Sequence, residues 1–587
     1  MCGIFGYTGK RKKTPELVLE ALKQLEYRGY DSWGVGVLVG NKFAIDKHAG
    51  KIGNATVNLP DSSFAFGHTR WATHGGVTDK NAHPHLDCTK TIAVVHNGII
   101  ENYQEIRKKL SDKHKIISET DTEIMAHLIE EYREKYDTIE ATRLAFLECK
   151  GLSAFLIADA KSEMLIAVKT GSPLVVGVGQ SENIVGSDAN CLLSITRDVV
   201  FLENNQLAIL TKDKVNFLDV KSGKEITPQV QRISWKEVKA EKGNFPHFLL
   251  KEIYEQPQVI ENIALNFDYQ ARDFALLIKN AVGTFMLGCG SASYAALAGT
   301  YLFSRIASRH VNFTVGSEFL YLEDYLTPKS LLIPISQSGE TIDIVEPVEK
   351  ARKKGTRIAS ITNVLGSTLY RKSDFKILMG AGVEKAVIGT KSFTAMVSIL
   401  LLIAYALVGK QQDGKKLLLK AAKSIKNLLT DPYLKLIDQT AELLKNKEHI
   451  YVLGRGVSYA AALETTLKLK ETSYIHAEGF AGGELKHGVM ALIEQGTPCI
   501  VIAPNDETYP EIISNALEVK SRGAFVIGVG PKNNEAFDVF FKTDDCGDAT
   551  IIPQVVIAQL LAYKLALLKG ISDPDKPRNL AKSVTVK

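Results

Sequence analysis

Cys2 is the first residue of this chain with chemistry to offer. Removal of the initiator methionine would leave its thiol and a free α-amine on one residue, a nucleophile carrying its own general base. The amine titrates near pH ~8 and the thiol near ~8.5, so a modest shift poises both for neutral pH. A lone cysteine is more often a small buried hydrophobe. The segments that follow change the balance: His68-Thr69-Arg70-Trp71-Ala72-Thr73-His74-Gly75, Asn81-Ala82-His83-Pro84-His85, His96-Asn97-Gly98 and Thr120-Asp121-Thr122. A thiolate attacking an amide needs donors for the oxyanion, and the Asn97 amide with the Gly98 N–H can supply them. An amino-acid substrate needs a cation for its carboxylate and an anion for its ammonium; Arg70 and Asp121 carry those charges. Each piece also has a plainer reading. His96-Asn97-Gly98 fits a type I′ turn, His74 and His83 fit satisfied histidines, and Arg70 fits a surface ion pair.

The second half holds two more constellations. Ser336-Gln337-Ser338-Gly339-Glu340-Thr341 follows the apolar run Leu331–Ile335 and precedes a helical pattern. Hydroxyls and backbone N–H groups at a strand end and helix N-terminus make a phosphate cradle; a simple N-cap is the alternative. Further on, Lys468 and Glu471 are spaced i,i+3 and share a helix face. They fit either a solvated pair or a carboxylate base beside an amine for proton transfer at carbon. His476-Ala477-Glu478 and Gly483-Glu484-Leu485-Lys486-His487-Gly488 follow, and the tail carries Lys582.

These groups need a scaffold, and 587 residues are far more than one core can use. With 45% hydrophobic and 23% charged residues the composition is that of an ordinary globular protein, and a net charge of +5 does not call for a nucleic-acid partner. Seven scattered cysteines show neither CxxC pairs nor a disulfide framework, which suits a reducing cytoplasm. No metal-ligand spacing is evident, and no signal-like opening. The apolar stretch Ser398–Val408 is too short for a bilayer and reads as a buried helix.

Strands are expected at Ser32–Val39, Phe64–Gly67, Thr91–Val95, Ala154–Ala158 and Met164–Val168, with helices at Pro15–Leu25 and Thr122–Tyr136. Strands clustered in this way imply α+β layers. From His247 the texture changes to alternating strands and helices. Thr284–Ser293 and His449–Ser458 repeat one pattern, an apolar strand ending Leu-Gly-x-Gly before an Ala-rich helix. Each copy has a further strand, Leu331–Ile335 or Cys499–Ala503. A duplicated βα unit predicts two similar α/β domains with parallel sheets.

Cys2-Gly3-Ile4, Tyr27-Arg28-Gly29-Tyr30-Asp31-Ser32, His68–Gly75, Asn97-Gly98 and Thr120-Asp121-Thr122 closely resemble the class II glutamine amidotransferase domain. That resemblance implies a four-layer α/β/β/α N-terminal-nucleophile (Ntn) hydrolase sandwich. Cys2 would attack the glutamine amide, Asn97 and Gly98 would hold the oxyanion, and Arg70, Trp71, Thr73, His74, His83 and Asp121 would form the glutamine site. The Ser336–Thr341 loop resembles the phosphate loop of sugar isomerase (SIS) domains. Taken with Leu467–Tyr474, Gly483–Gly488 and Pro577–Val586, the whole chain is similar to the isomerising glutamine–fructose-6-phosphate aminotransferases. By that resemblance the sugar phosphate binds Ser291, Ser336, Gln337, Ser338, Thr341 and Val387. His487 of a neighbouring subunit opens the ring, which implies a homodimer. Lys582 forms a Schiff base at C2, and Glu471, assisted by Lys468, moves a proton from C1 to C2. Glutamine ammonia reaches C2 through a channel gated by Trp71, giving glucosamine-6-phosphate, the first step of hexosamine synthesis. No metal or organic cofactor, nucleic acid or membrane is expected.

The resulting expectation is a multidomain α/β protein: amidotransferase domain 1–225, linker 226–258, SIS domains 259–425 and 426–570, and an active-site tail 571–587. Two departures stand out. Cys289-Gly290-Ser291-Ala292-Ser293 replaces the more usual Cys-Gly-Thr-Ser-Tyr, and Gly389 replaces a serine, each removing a hydroxyl expected near the sugar phosphate. The competing readings are a sugar-phosphate-binding regulator, or an amidotransferase for a different keto-sugar phosphate. Retention of Lys468, Glu471, His487 and Lys582 argues against the first.

Overall fold

The computed structural model describes residues 2–110, 112–234 and 241–585. The chain forms two compact units, Met1–Val238 with Ala581–Lys587, and Lys239–Leu580. Of the expected linker 226–258, residues 235–240 lie outside the described residues, and its last part belongs to the helix Phe248–Asn266.

Among the described residues the first unit holds two antiparallel sheets. One has eight strands, in the order Gln231–Arg232, Asp198–Phe201, Val175–Val178, Glu182–Gly186, Gly3–Gly9, Phe64–Arg70, Ser32–Val39, Lys42–Ala49. The other has seven, in the order Glu225–Ile226, Val215–Asp219, Gln206–Leu210, Met164–Thr170, Ser153–Asp159, Ile92–Gly98, His85–Leu86. Alternation along each strand sorts side chains to two faces. Ile4 and Phe66 meet Val95, Leu156 and Leu165 in a core between the sheets. Phe5, Tyr7, Val35 and Ala65 face the other way, against Val18, Leu19, Leu22 and Leu25 of the helix Thr14–Leu25. Val94, Phe155 and Ile157 pack under Ile124, Leu128 and Phe146 of the helices Thr122–Tyr132 and Thr138–Glu148. The result is the expected four-layer α/β/β/α sandwich. Gly6 belongs to the close approach of the sheets: a Cβ there would lie 2.7 Å from Leu156 Cδ2. The helix from Thr122 ends at Tyr132, short of the expected Tyr136.

The second unit contains two five-stranded parallel sheets of the same strand order. The first is Asn312–Val315, Thr284–Gly288, Leu331–Ser336, Arg357–Thr362, Phe375–Leu378. The second is His476–Ala481, His449–Gly454, Pro498–Ile502, Phe525–Gly530, Val539–Lys542. The expected duplication is therefore present down to backbone detail. Gly290 and Gly456, each before the first helix of its copy, both have φ +55°. Gly288 and Gly454 admit that helix closely: a Cβ would lie 2.4 Å from Ala292 C and 2.1 Å from Ser458 O respectively.

The helix Lys391–Leu407 is buried from Lys391 to Ala404, as its apolar run predicts. Among the described residues Gly547–Leu568 is long and apolar enough to cross a membrane, and it is mostly buried within this unit. The first part of the expected tail 571–587 is tied down. Asp575 accepts the Phe248 and Leu249 N–H groups at 2.9 and 2.7 Å, satisfying the open N-terminus of the helix Phe248–Asn266. Its own carbonyl accepts the Val387 N–H at 2.8 Å. Asp575→Ala leaves two donors unpaired and is expected to destabilise the second unit by about 1–2 kcal/mol, read as a lower midpoint in denaturant unfolding.

Candidate active sites

In the first unit the sheet register brings Cys2 to its neighbours. Gly3–Gly9 pairs with Phe64–Arg70, with Gly3 opposite Thr69, so Cys2 lies beside the end of that strand. The Gly3 N–H bonds Thr69 Oγ1 at 3.1 Å. The Trp71 N–H points at Cys2 Sγ, 3.1 Å away. Burial pushes the Cys2 thiol up, while the Trp71 N–H and the Arg70 charge pull it back toward the thiolate.

Asn97 is oriented from behind. Both acceptors near His68 Nε2 are oxygens, the His96 carbonyl at 2.9 Å and Asn97 Oδ1 at 3.1 Å, so Nε2 carries the proton. That bond turns the Asn97 Nδ2 donors the other way, one of them to Ser187 Oγ at 2.9 Å. Ser187 in turn accepts the Ile4 N–H at 2.9 Å, so one hydroxyl ties the strand after Cys2 to the Asn97 amide. Gly98 has φ +148°, and a Cβ there would lie 2.4 Å from the Leu152 carbonyl, so only glycine fits.

Arg70 is buried and donates to the carbonyls of His74, Gly75 and Gly76, folding the 71–76 loop around its guanidinium. Burial lowers its affinity for a proton, and Cys2, Asp121 and Asp31 raise it. Asp31 holds the start of the loop through the Ala72 N–H at 2.9 Å. Asp121, buried just before the helix Thr122–Tyr132, accepts the Ile100 N–H at 2.7 Å. His74 meets Tyr103 edge-on, Trp71 does the same with Tyr30, and Thr73 is exposed. His83 lies one layer back: it stacks on His68 at 4.2 Å, and its Nδ1 accepts the His96 N–H at 3.3 Å. Burial holds His68 down at about 3, His96 at about 4 and His83 well below the ordinary value, so all three are neutral supports.

In the second unit the strand order reverses beside Thr284–Gly288, so the loops after this strand and after Leu331–Ser336 flank a switch point, where such sheets bind ligands. Ser336 Oγ accepts the Gly339 N–H at 3.1 Å and lies 3.4 Å from Thr341 Oγ1. Ser338 Oγ accepts the Glu340 N–H at 3.2 Å, and Gln337 is partly exposed. Gly339 has φ +67°, and a Cβ there would lie 2.1 Å from Ser367 Oγ. The loop after the first strand supplies Ser291, whose hydroxyl bonds Glu464 Oε1 at 3.1 Å.

Lys468 gathers the rest. It is 1% exposed, and its Nζ lies 2.8 Å from Glu471 Oε2, 3.3 Å from Glu464 Oε1, and 3.0 Å from both Ser291 Oγ and the Gly389 carbonyl. Burial alone would lower Lys468, but Glu464 and Glu471 more than reverse it, so it stays charged. Burial raises Glu464 to about 7, against the pull of Lys468. Gly389 thus contributes its backbone, and the missing side chain leaves room: a Cβ would lie 3.4 Å from Ser392 Oγ. Ala292 is buried in the first turn of the helix Ser291–Ala307. Val387 is positioned by its bond to Asp575. His487 is exposed at the end of the turn Gly482–His487, outside the Lys468 network. Lys582 belongs to the tail segment grouped with the first unit.

Sequence reasoning missed Glu464, Ser187 and Glu384, whose carboxylate accepts the Thr390 and Ser392 N–H groups at 3.0 and 3.1 Å. Glu464 had a signal, since Glu464, Lys468 and Glu471 fall at i, i+4 and i+7 of one helix. The others are joined only by folding.

Comparison with known proteins agrees with this division. A family described as "SIS domain" matches residues 277–406 and 443–539, and one described as "Glutamine amidotransferase domain" matches 68–194. A glutamine–fructose-6-phosphate aminotransferase (isomerizing) of Pyrococcus horikoshii is 41% identical over the full length of both chains, and that of Aquifex aeolicus is 40% identical over the same span. A solved structure, the C-terminal domain of glucosamine-fructose-6-phosphate aminotransferase from Francisella tularensis, has TM-score 0.52 and 32% identity, covering 56% of this chain and 99% of that one. With identity at this level across its whole length, the chain belongs to the isomerising glutamine–fructose-6-phosphate aminotransferase family.

Proposed function

We propose that this enzyme converts fructose-6-phosphate and glutamine to glucosamine-6-phosphate and glutamate in hexosamine synthesis. The observation that carries the reading is the pairing of an amidotransferase unit with an ion pair of the buried Lys468 and the half-buried Glu471 beside a phosphate-type loop. Cys2 Sγ attacks the glutamine amide carbon, its α-amine takes and returns the proton, and the Asn97 and Gly98 donors stabilise the oxyanion. Arg70 and Asp121 hold the amino-acid end. Ammonia leaves, and water releases glutamate from the thioester.

At the second site Ser336, Gln337, Ser338 and Thr341 hold the phosphate, with Ser291 and Val387 along the sugar. His487, supplied by a neighbouring subunit, opens the ring; its exposure on the single chain supports a homodimer. Lys582 activates the C2 carbonyl as a Schiff base, which ammonia displaces. Glu471 then takes the C1 proton and delivers it to C2, with Lys468 holding its carboxylate. The water consumed in releasing glutamate balances the one lost on forming the imine. Seven free cysteines fit a cytoplasmic location.

The test is a mass-resolved assay with fructose-6-phosphate and glutamine labelled with nitrogen-15 in the amide. Label in an aldose hexosamine phosphate is expected; label confined to free ammonia would mean that this sugar phosphate is not the acceptor. Lys582→Arg should abolish amino-sugar formation while glutamine hydrolysis persists, both read from the same reaction. Continued amino-sugar synthesis in that variant removes the Schiff-base role.

Glu464 supplies a pH signature. Its folded-state value, about 7, lies above its unfolded value of about 4.3. The stability it contributes is therefore fully present below about pH 4 and is lost as pH rises through about 7. Glu464→Gln, which cannot ionise, should flatten that fall in denaturant unfolding measured across the same range.

A further inference from the structure

One cluster in the first unit has no part in the glutamine chemistry. Cys88, in the turn between the strands His85–Leu86 and Ile92–Gly98, meets His114 of the following connection and His127 and Glu130 of the helix Thr122–Tyr132. One donor atom from each lies within 4.8 Å of every other. Cys88 Sγ is 3.6 Å from His127 Nδ1 and 3.8 Å from His114 Nδ1. Glu130 Oε2 is 3.0 Å from His114 Nδ1 and 3.3 Å from His127 Nδ1.

These spacings match the edges of a coordination tetrahedron. Metal–sulfur bonds near 2.3 Å and metal–nitrogen or metal–oxygen bonds near 2.05 Å give edges of about 3.6 Å for S···N and about 3.3 Å for N···O. The two imidazoles are almost fully covered, with side-chain exposures of 2% and 1%. Their far nitrogens face second carboxylates, His114 Nε2 to Glu131 at 3.4 Å and His127 Nε2 to Glu123 at 3.6 Å. A carboxylate behind each ligating histidine is the usual outer shell of a metal centre. Thiolate, two imidazoles and a carboxylate together suit Zn²⁺ in both softness and geometry, and a thiolate plus a carboxylate neutralise it.

We propose that Cys88, His114, His127 and Glu130 bind a structural zinc ion. The ion joins three separate segments, and one of them leads directly into the glutamine site. After His114 the chain runs through Ile117, whose N–H bonds Glu123 at 2.7 Å, and Glu119, whose carboxylate bonds Asn81 Nδ2 at 2.8 Å, to Asp121. The metal fixes the far end of this connection, as the Asp121 carboxylate fixes the near end. No linear motif announces the site, because Cys88 and Glu130 are 42 positions apart and meet only when the hairpin packs on the helix.

The test uses the full chain, purified without a histidine tag and stripped with EDTA. Titration with cobalt chloride should give one tetrahedral ion per chain with a thiolate-to-cobalt charge-transfer band, displaced by one equivalent of zinc chloride. Cys88→Ser, at an exposed position where folding is not at stake, should lose that band and weaken zinc binding by at least about tenfold. Zinc should also slow hydrogen exchange across residues 112–121. Absence of stoichiometric binding, or an unchanged cobalt spectrum in Cys88→Ser, overturns the site; tight binding without slower exchange overturns its role in fixing the connection.

Discussion

Lys468 is a fully buried cation, and the second unit is arranged so that this charge is never alone. Taking an ammonium out of water costs several kcal/mol unless oxygens replace its hydration. Two of the replacements, Glu464 and Glu471, come from its own helix. The other two come from the first copy of the repeat, Ser291 after its first strand and the Gly389 carbonyl before its long apolar helix. Satisfying one charge therefore joins the two copies. Of the two carboxylates, Glu464 is buried and Glu471 is partly exposed, as the base proposed for it would need to be.

The first unit meets the same constraint with neutral groups. His68, His83 and His96 are sealed between strands and helix, and burial keeps them uncharged. His83 stacks on His68 and accepts the His96 N–H, and His68 donates from Nε2 to the Asn97 oxygen. With His68 on its oxygen and Ser187 on its nitrogen, the Asn97 amide is presented in a single orientation. Preorganisation of this kind lets an oxyanion be stabilised without rearrangement as charge develops. His83, expected in the glutamine site, stacks on His68 and accepts the His96 N–H.

Both departures from the family pattern become intelligible in this setting. Gly389 lacks the hydroxyl but keeps the carbonyl that Lys468 uses, and a Cβ there would meet Ser392 Oγ at an ordinary contact distance of 3.4 Å. Ala292 sits buried in a helix turn, while Ser291, the hydroxyl the chain retained, is the one bound to the Lys468 cluster. The network around the amine is intact, and the changes fall on its periphery.

Much of this was legible in the chain itself. Apolar periodicity marked the strands and the helices to within a few residues, and the repeated Leu-Gly-x-Gly announced the duplication, because a strand entering a helix through a tight turn needs glycine at those points. Cys2, Asn97, Lys468 and Glu471 could be singled out because their chemistry is intrinsic to residue type and short spacing. Ser187 with Asn97, Ser291 with Glu464, and Cys88 with His127 could not, since each pair is joined by strand register or helix packing between distant segments. Local sequence sets which groups are present and the period on which they fall. Only burial decides which of them must find a partner, and only tertiary packing decides who that partner is, because the cost of an unpaired polar group arises when water is excluded.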